Sequence, residues 1–131
     1  MRVAKNKVDV QMEIPGAVLR QTKNFGDASG FGKISGEYFS LAKGVDTRPL
    51  FVGLEGGVCD CPHWGFVVRG RITTTSANGE KETVNADDLF YWPPGHNVSV
   101  EDDADIVMFS PQHEHTKVIN HMIKKVQQSQ A

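Results

Sequence analysis

"GGVCDCPHWGFVVRGR", residues 56–71, and "ADDLFYWPPGHN", residues 86–97, are the stretches from which this 131-residue chain is best read. The first holds both cysteines, Cys59 and Cys61, at alternate positions with His63. The second places His96 directly after a hard Pro93-Pro94-Gly95 turn. Between them "WGFVVRG" is apolar on both faces of an extended chain, with Trp64, Phe66 and Val68 on one side and Val67 on the other. That pattern predicts a strand covered on both sides.

Working outward, "GEYFSLAKG", "PLFVGLEGG", "DCPHWGFVVRG", "RITTTSA", "KETVN", "DLFYWP", "NVSVE" and "DIVMFS" read as short strands. They recur at intervals of roughly eight to twelve residues, the spacing of an all-β sandwich or barrel. Asn78-Gly79 predicts a two-residue type I′ hairpin. Residues 1–24, with Val3, Val8, Val10, Met12 and Ile14, read as an extended N-terminal arm, and 34–112 as the β-barrel. Over 114–128 the period changes: Val118, Ile119, Met122, Ile123 and Val126 recur at helical spacing, so one amphipathic α-helix closes the chain. The whole is expected to be one domain, a length that buries a sizeable core.

The hydrophobic fraction of 39%, charged fraction of 23% and net charge of -2 give no electrostatic reason for a nucleic-acid partner. No apolar run is long enough to span a bilayer, and the basic start lacks the apolar stretch of a signal peptide. No membrane partner and a cytoplasmic location are the expectation. In a reducing compartment the thiols stay reduced. Residues i and i+2 of a strand, ~6.5 to 7 Å apart, are at or beyond the reach of a disulfide, so Cys59 and Cys61 are not expected to bridge.

Three stretches look like sites and read as something plainer. "GDASGFGKIS", from Gly26, imitates a phosphate-binding loop, but the glycine spacing is wrong and Ile34 stands where a Ser or Thr should follow Lys33; a surface loop is expected. "QHEHTKVINH" offers His113, His115 and His121 without metalloprotease spacing, and reads as a solvated helix start. "EDDAD", 101–105, lacks a calcium loop's glycine and distal glutamate and reads as a solvated turn.

The two opening stretches together resemble the cupin superfamily, and specifically its small members with a CxCPHWG(F/Y)V(V/L)xG stretch and a later PPGH. The resemblance covers residues 50–110 well. It implies a double-stranded β-helix, a jelly-roll barrel, whose mouth binds a small molecule, in many members through a metal held by an HxH pair, a glutamate and a third histidine. Gly70 matches the glycine closing the first motif, which puts His63 at the glutamate position and Cys59 and Gly57 at the two histidine positions. Pro93 and Gly95 match the turn of the second motif, Asp87 replaces its leading glycine, and Val98 stands where the third histidine belongs. His96 falls two residues earlier, on the same strand face as Val98.

The ligand set to consider is therefore this chain's own: Cys59, Cys61, His63 and His96, thiolates and imidazoles suited to a divalent transition metal such as zinc or iron. A straight strand separates Cys59 from His63 by ~13 Å. They can share an ion only if the chain bends, for which Pro62 is the candidate. Without the bend, the compact sets are Cys61, His63 and His96, or the two cysteines with His96. The competing reading has no metal, with the cysteines as small buried hydrophobes and the histidines hydrogen-bonded. A thiol-redox role is a third. Arg69, Arg71, Tyr91 and Trp92 are candidates for recognising an acidic or aromatic ligand. Two functional classes follow, a small-molecule-binding barrel acting as a metal-dependent enzyme or a non-catalytic sensor or dimeric scaffold with a degenerate site, and in either the two-sided apolar strand and the 1–24 arm predict a homodimer.

Overall fold

The structure, a computed structural model, describes residues 1–26 and 32–129. Half of the phosphate-loop imitation, residues 27–31 of 26–35, lies outside that range. Seven strands form one antiparallel sheet: β1 Val10–Ile14, β2 Ala17–Thr22, β3 Ile34–Leu41, β4 His63–Ser76, β5 Lys81–Asn85, β6 Leu89–Trp92 and β7 His96–Pro111. A short helix, α1 Arg48–Phe51, a long C-terminal one, α2 Gln112–Ser129, and two single 3₁₀ turns, Lys5–Lys7 and Glu55–Gly57, complete the regular structure of the described residues. The sheet runs β1-β2-β3-β7-β4-β5, with β6 also paired to β4.

The barrel is built on two long strands. "DCPHWGFVVRG" and "RITTTSA" are not separate but one strand, β4, and "NVSVE" and "DIVMFS" are likewise joined in β7. The early part of β4 pairs with β6 and with the late part of β7; its late part pairs with β5 and with the early part of β7. The two strands bend together where the register shifts around Gly70 and Asp102–Asp105. Gly70 has φ +92, and a Cβ there would stand 2.3 Å from the Asp103 carbonyl oxygen and 2.6 Å from Ala104 Cα. Only glycine meets both demands. "EDDAD" is consequently not a turn: it lies within β7, with Glu101, Asp102 and Asp103 exposed at the bend.

Other expectations are corrected. "PLFVGLEGG" is not a strand: Pro49 suits the first turn of α1, and Gly53, Gly56 and Gly57 take positive φ, which breaks any extended run. The Asn78-Gly79 hairpin has a three-residue loop rather than a two-residue one. Only Gly79 is left-handed, the Gly79 N–H donates to the Ser76 carbonyl, and the Ser76 N–H donates to that of Glu80. This is a type I turn with a glycine bulge. Residues 10–22 do not trail as an arm but form the hairpin β1–β2, whose β2 pairs with β3 throughout.

The core is continuous from Leu19 and Phe39 through Val67, Ile72 and Ile106 to the helix. On α2, Val118, Ile119 and Met122 are buried and Ile123 and Val126 pack at the margin, as the helical period predicts. No helix among the described residues is long and apolar enough to cross a membrane. The strand "WGFVVRG" buries Val67 on its inner side, but Trp64, Phe66 and Val68 on its outer side are open.

Substituting Gly70→Ala should destabilise the fold by roughly 3 kcal/mol through left-handed strain and the cross-strand clash. Gly79→Ala, equally left-handed but with nothing near its Cβ, should cost about 1 kcal/mol. Urea midpoints at unchanged slope measure both. Equal losses would show that the close approach to β7 is not the constraint.

Candidate metal centre in the barrel

His63 opens β4 on its inner face and pairs across the ladder with Trp92, the inward residue ending β6. Two residues on, Gly65 faces Phe90, where a Cβ would stand 2.4 Å from the ring, so glycine allows Phe90 to stack beneath Trp92 at 4.2 Å. The Pro93-Pro94-Gly95 turn, with Gly95 at φ +92, then delivers His96 to the start of β7. Cys59 pairs with His96 as an isolated bridge: its N–H donates to the His96 carbonyl, and its carbonyl accepts from Gly95 and His96.

The chain bends between Cys59 and His63, bringing Cys59 Sγ to 3.5 Å from His63 Nε2. Cys59, His63 and His96 are all buried and each offers a ligand atom within 4.8 Å of the others. Cys61 does not join them. It is equally buried, but its sulfur lies 3.4 Å from the Pro62 carbonyl and 3.8 Å from that of Pro111. The bend that brings Cys59 to His63 turns the intervening cysteine away.

Hydrogen bonding assigns the protons. His96 Nδ1 is 2.7 Å from the Pro93 carbonyl, which can only accept, so Nδ1 carries hydrogen and Nε2 a lone pair. His63 Nδ1 is 2.6 Å from Ser110 Oγ, and that hydroxyl donates its own hydrogen to Glu37 Oε1 at 2.5 Å. His63 Nδ1 is then the donor and its Nε2 is bare. Burial pushes His63 well below the ordinary imidazole range, aided by His115 and His96 nearby, and burial also lowers His96. Burial raises the Cys59 thiol to about 12 and raises Cys61 as well. Without a metal the site is two neutral imidazoles and a protonated thiol.

Behind His63 lies a network that the sequence reading missed. Glu37, with a wholly buried side chain, accepts from Gln21 Nε2 at 2.9 Å, Ser35 Oγ at 3.2 Å, Ser110 Oγ and His115 Nδ1. His115 is therefore not part of a solvated helix start: it is buried, while His113 is exposed and His121 reaches the Val52 carbonyl at 2.8 Å. Glu37, His63 and His115 form a second group of three with ligand atoms within 4.8 Å. The signals were present but faint. Glu37 shares the inward phase of Ser35 and Phe39 on β3, and His115 stands three and four residues before Val118 and Ile119 on the apolar stripe.

Cys59, His63, His96 and His115 border a cavity of about 60 Å³, walled for the rest by Thr47 and by apolar side chains including Phe39, Val98 and Met108, and closed on one side by Val118 and Met122 of α2. Of the ligand-recognition candidates, Trp92 lines it, while Tyr91 is exposed and Arg69 and Arg71 pair with Asp105 and Asp102 on the surface.

The sequence matches no family model and no curated protein. Solved structures do match. Ectoine synthase from P. lautus superposes with a TM-score of 0.58 at 12% identity, over 85% of this chain and 78% of that one. The polyketide cyclase RemF from Streptomyces resistomycificus gives 0.55 at 16%, over 85% and 78%. Oxalate decarboxylase from Lactobacillus farciminis gives 0.55 at 18%, over 81% of this chain, which spans 31% of that larger protein. The fold is the cupin fold. It agrees with the barrel expected from the two opening stretches; identities this low speak for fold alone.

Because both thiols are buried and protonated, a bulky aromatic disulfide reagent should react with the folded metal-free protein about 10³-fold more slowly than with free cysteine. Absorbance stopped-flow with and without urea measures this. Rapid reaction in the folded state would mean that these sulfurs are open to solvent.

Proposed function

We propose that this chain is a metal-dependent, small-ligand barrel in which Cys59, His63 and His96 hold one divalent transition metal. The supporting observation is the 3.5 Å separation of Cys59 Sγ and His63 Nε2, against about 3.6 Å for a thiolate and an imidazole on tetrahedral zinc. Two further features fit. Both imidazoles have committed Nδ1–H to an acceptor, the usual arrangement of metal-ligating histidines. Three protein ligands also leave a position for a ligand from the cavity. Zinc and iron both suit this donor set. When bound, the ion supplies Lewis-acid polarisation of whatever occupies the open position.

The chain's own residues restrict that occupant. A cavity of about 60 Å³ admits a few heavy atoms and is far below the ~300 Å³ of ordinary ligand pockets. Phe39, Val98 and Met108 exclude bulk water, and α2 covers the site. Larger substrates require α2 to move, so small-ligand binding is favoured over turnover of a bulky metabolite. A thiolate ligand also fits a reducing compartment such as the cytoplasm.

Protein purified without added metal should carry roughly one zinc or iron ion per chain. Cys59→Ser and His96→Ala should abolish that content, while Cys61→Ser and His121→Ala should retain it. Plasma emission spectrometry measures it, and full retention in both site variants would overturn the assignment. The imidazoles are already neutral, so loading releases the Cys59 proton alone. Zinc affinity should therefore rise about tenfold per pH unit from pH 7 to 8.

The non-catalytic reading gains support from the outer sheet face, where Trp64 stacks on Tyr91 at 5.2 Å beside exposed Phe66, Leu89 and Phe109. Val3, Lys5 and Val8 lie over the adjoining Tyr38, Val107 and Phe109, but do not reach Trp64. A second copy of the chain is the occupant we propose, since a sheet face presents the same uncharged strip to its own twofold mate. Light scattering at micromolar concentration should return twice the chain mass, and Leu89→Lys with Trp64→Lys should return the monomer. A monomeric unmodified protein would exclude the homodimer.

A further inference from the structure

We infer that Glu37 and Ser110 are positioning residues that force His63 into the Nδ1–H tautomer and so hold its Nε2 lone pair toward Cys59 and His96. The inference deepens the metal reading and rests on it for its purpose, though not for its geometry.

The argument follows hydrogens along one chain of groups. Glu37 is surrounded by donors from Gln21, Ser35, Ser110 and His115. With a donor at every one of these neighbours, both of its oxygens act as acceptors. Ser110 Oγ has one hydrogen and two neighbours, Glu37 Oε1 at 2.5 Å and His63 Nδ1 at 2.6 Å. The carboxylate takes the hydrogen, which leaves the hydroxyl oxygen as acceptor for His63. The opposite tautomer would face the Ser110 lone pairs with another lone pair, in a place where Ser35, Ser110 and His63 are all buried and no water can intervene. Direction thus passes from Glu37 on β3, through Ser110 on β7, to His63 on β4. Through the His115 bond to Glu37, α2 is tied to the same chain, so the helix that closes the cavity also helps to hold the carboxylate in place.

Three substitutions separate positioning from mere packing. In Glu37→Gln, the Gln21 and His115 donors hold the amide oxygen on their side and turn its NH₂ toward Ser110. The hydroxyl then donates to His63 Nδ1, and the ring proton moves to Nε2. Ser110→Ala removes the acceptor and releases the preference. Ser110→Thr restores a hydroxyl on a strand that accepts β-branched residues.

Long-range ¹H–¹⁵N correlation spectra of metal-free protein read the tautomer directly, with the His63 signals assigned by their loss in His63→Gln. The unmodified protein and Ser110→Thr should carry the proton on Nδ1, Glu37→Gln should carry it on Nε2, and Ser110→Ala should be mixed. Zinc affinity should fall about 10 to 100-fold in Ser110→Ala and Glu37→Gln, and recover in Ser110→Thr. An Nε2–H ring in the unmodified protein, or a tautomer unchanged in both Ser110→Ala and Glu37→Gln, would overturn the inference. Should Glu37→Gln not fold, Ser110→Ala with its threonine rescue decides alone. If the tautomers behave as described but the unmodified protein binds no metal, the positioning chain stands and the metal assignment falls.

Discussion

β7 is a strand whose two ends meet the same histidine. His96 begins it and Ser110 lies fourteen positions later, a distance of about 46 Å along a straight strand. Yet Ser110 Oγ is 2.6 Å from His63 Nδ1, and the His96 ring centroid is 5.2 Å from that of His63. Only a strand that turns back through the barrel satisfies both. The turn occurs where Gly70 of β4 lies against the β7 backbone at Asp103–Ala104, with no Cβ to hold the strands apart. The site depends on that contact, because it closes the sheet around the cavity.

Closing a barrel around polar groups is costly unless every group is matched. Burying a carboxylate without donors is prohibitive, and a half-satisfied network is worse than an apolar core. Glu37 is matched from β2, β3, β7 and α2 together, so each of those elements must be docked before the charge is compensated. The same bonds leave the opposite edge of His63 to face Cys59. The polar side of the barrel and the ligand side are two faces of one imidazole. This gives the arrangement a direction: the network works behind the ring, and any ligand must arrive in front of it.

The outer surface follows a different logic. Among the described residues nothing covers Trp64, Tyr91 and Leu89, although the strand that carries Trp64 has the two-sided apolar pattern of a buried one. Residues 10–22 extend the sheet through β1 and β2 instead, and among the described N-terminal residues Val3, Val8 and Phe25 reach the margin of this face at Phe109. An apolar strip of this kind is the surface feature that association with another copy would remove from water.

By itself the sequence determined the β character of the chain, the helix over the last residues with Val118, Ile119 and Met122 inward, the glycine at position 70 and the turn before His96. Each of these is local: a period, a dihedral or a fixed spacing is written in neighbouring residues. It also marked Cys59, His63 and His96 as residues to watch, but could not choose between Cys59 and Cys61, since that choice depends on whether the chain bends at Pro62. The tertiary structure decided that, together with everything about Glu37, Gln21, Ser110 and His115. These four come from separate elements, and singly each is an ordinary polar residue in an amphipathic strand or helix. Their meaning lies in register across the sheet and in where α2 docks, and both are set by the sum of long-range packing, which no short stretch of residues contains.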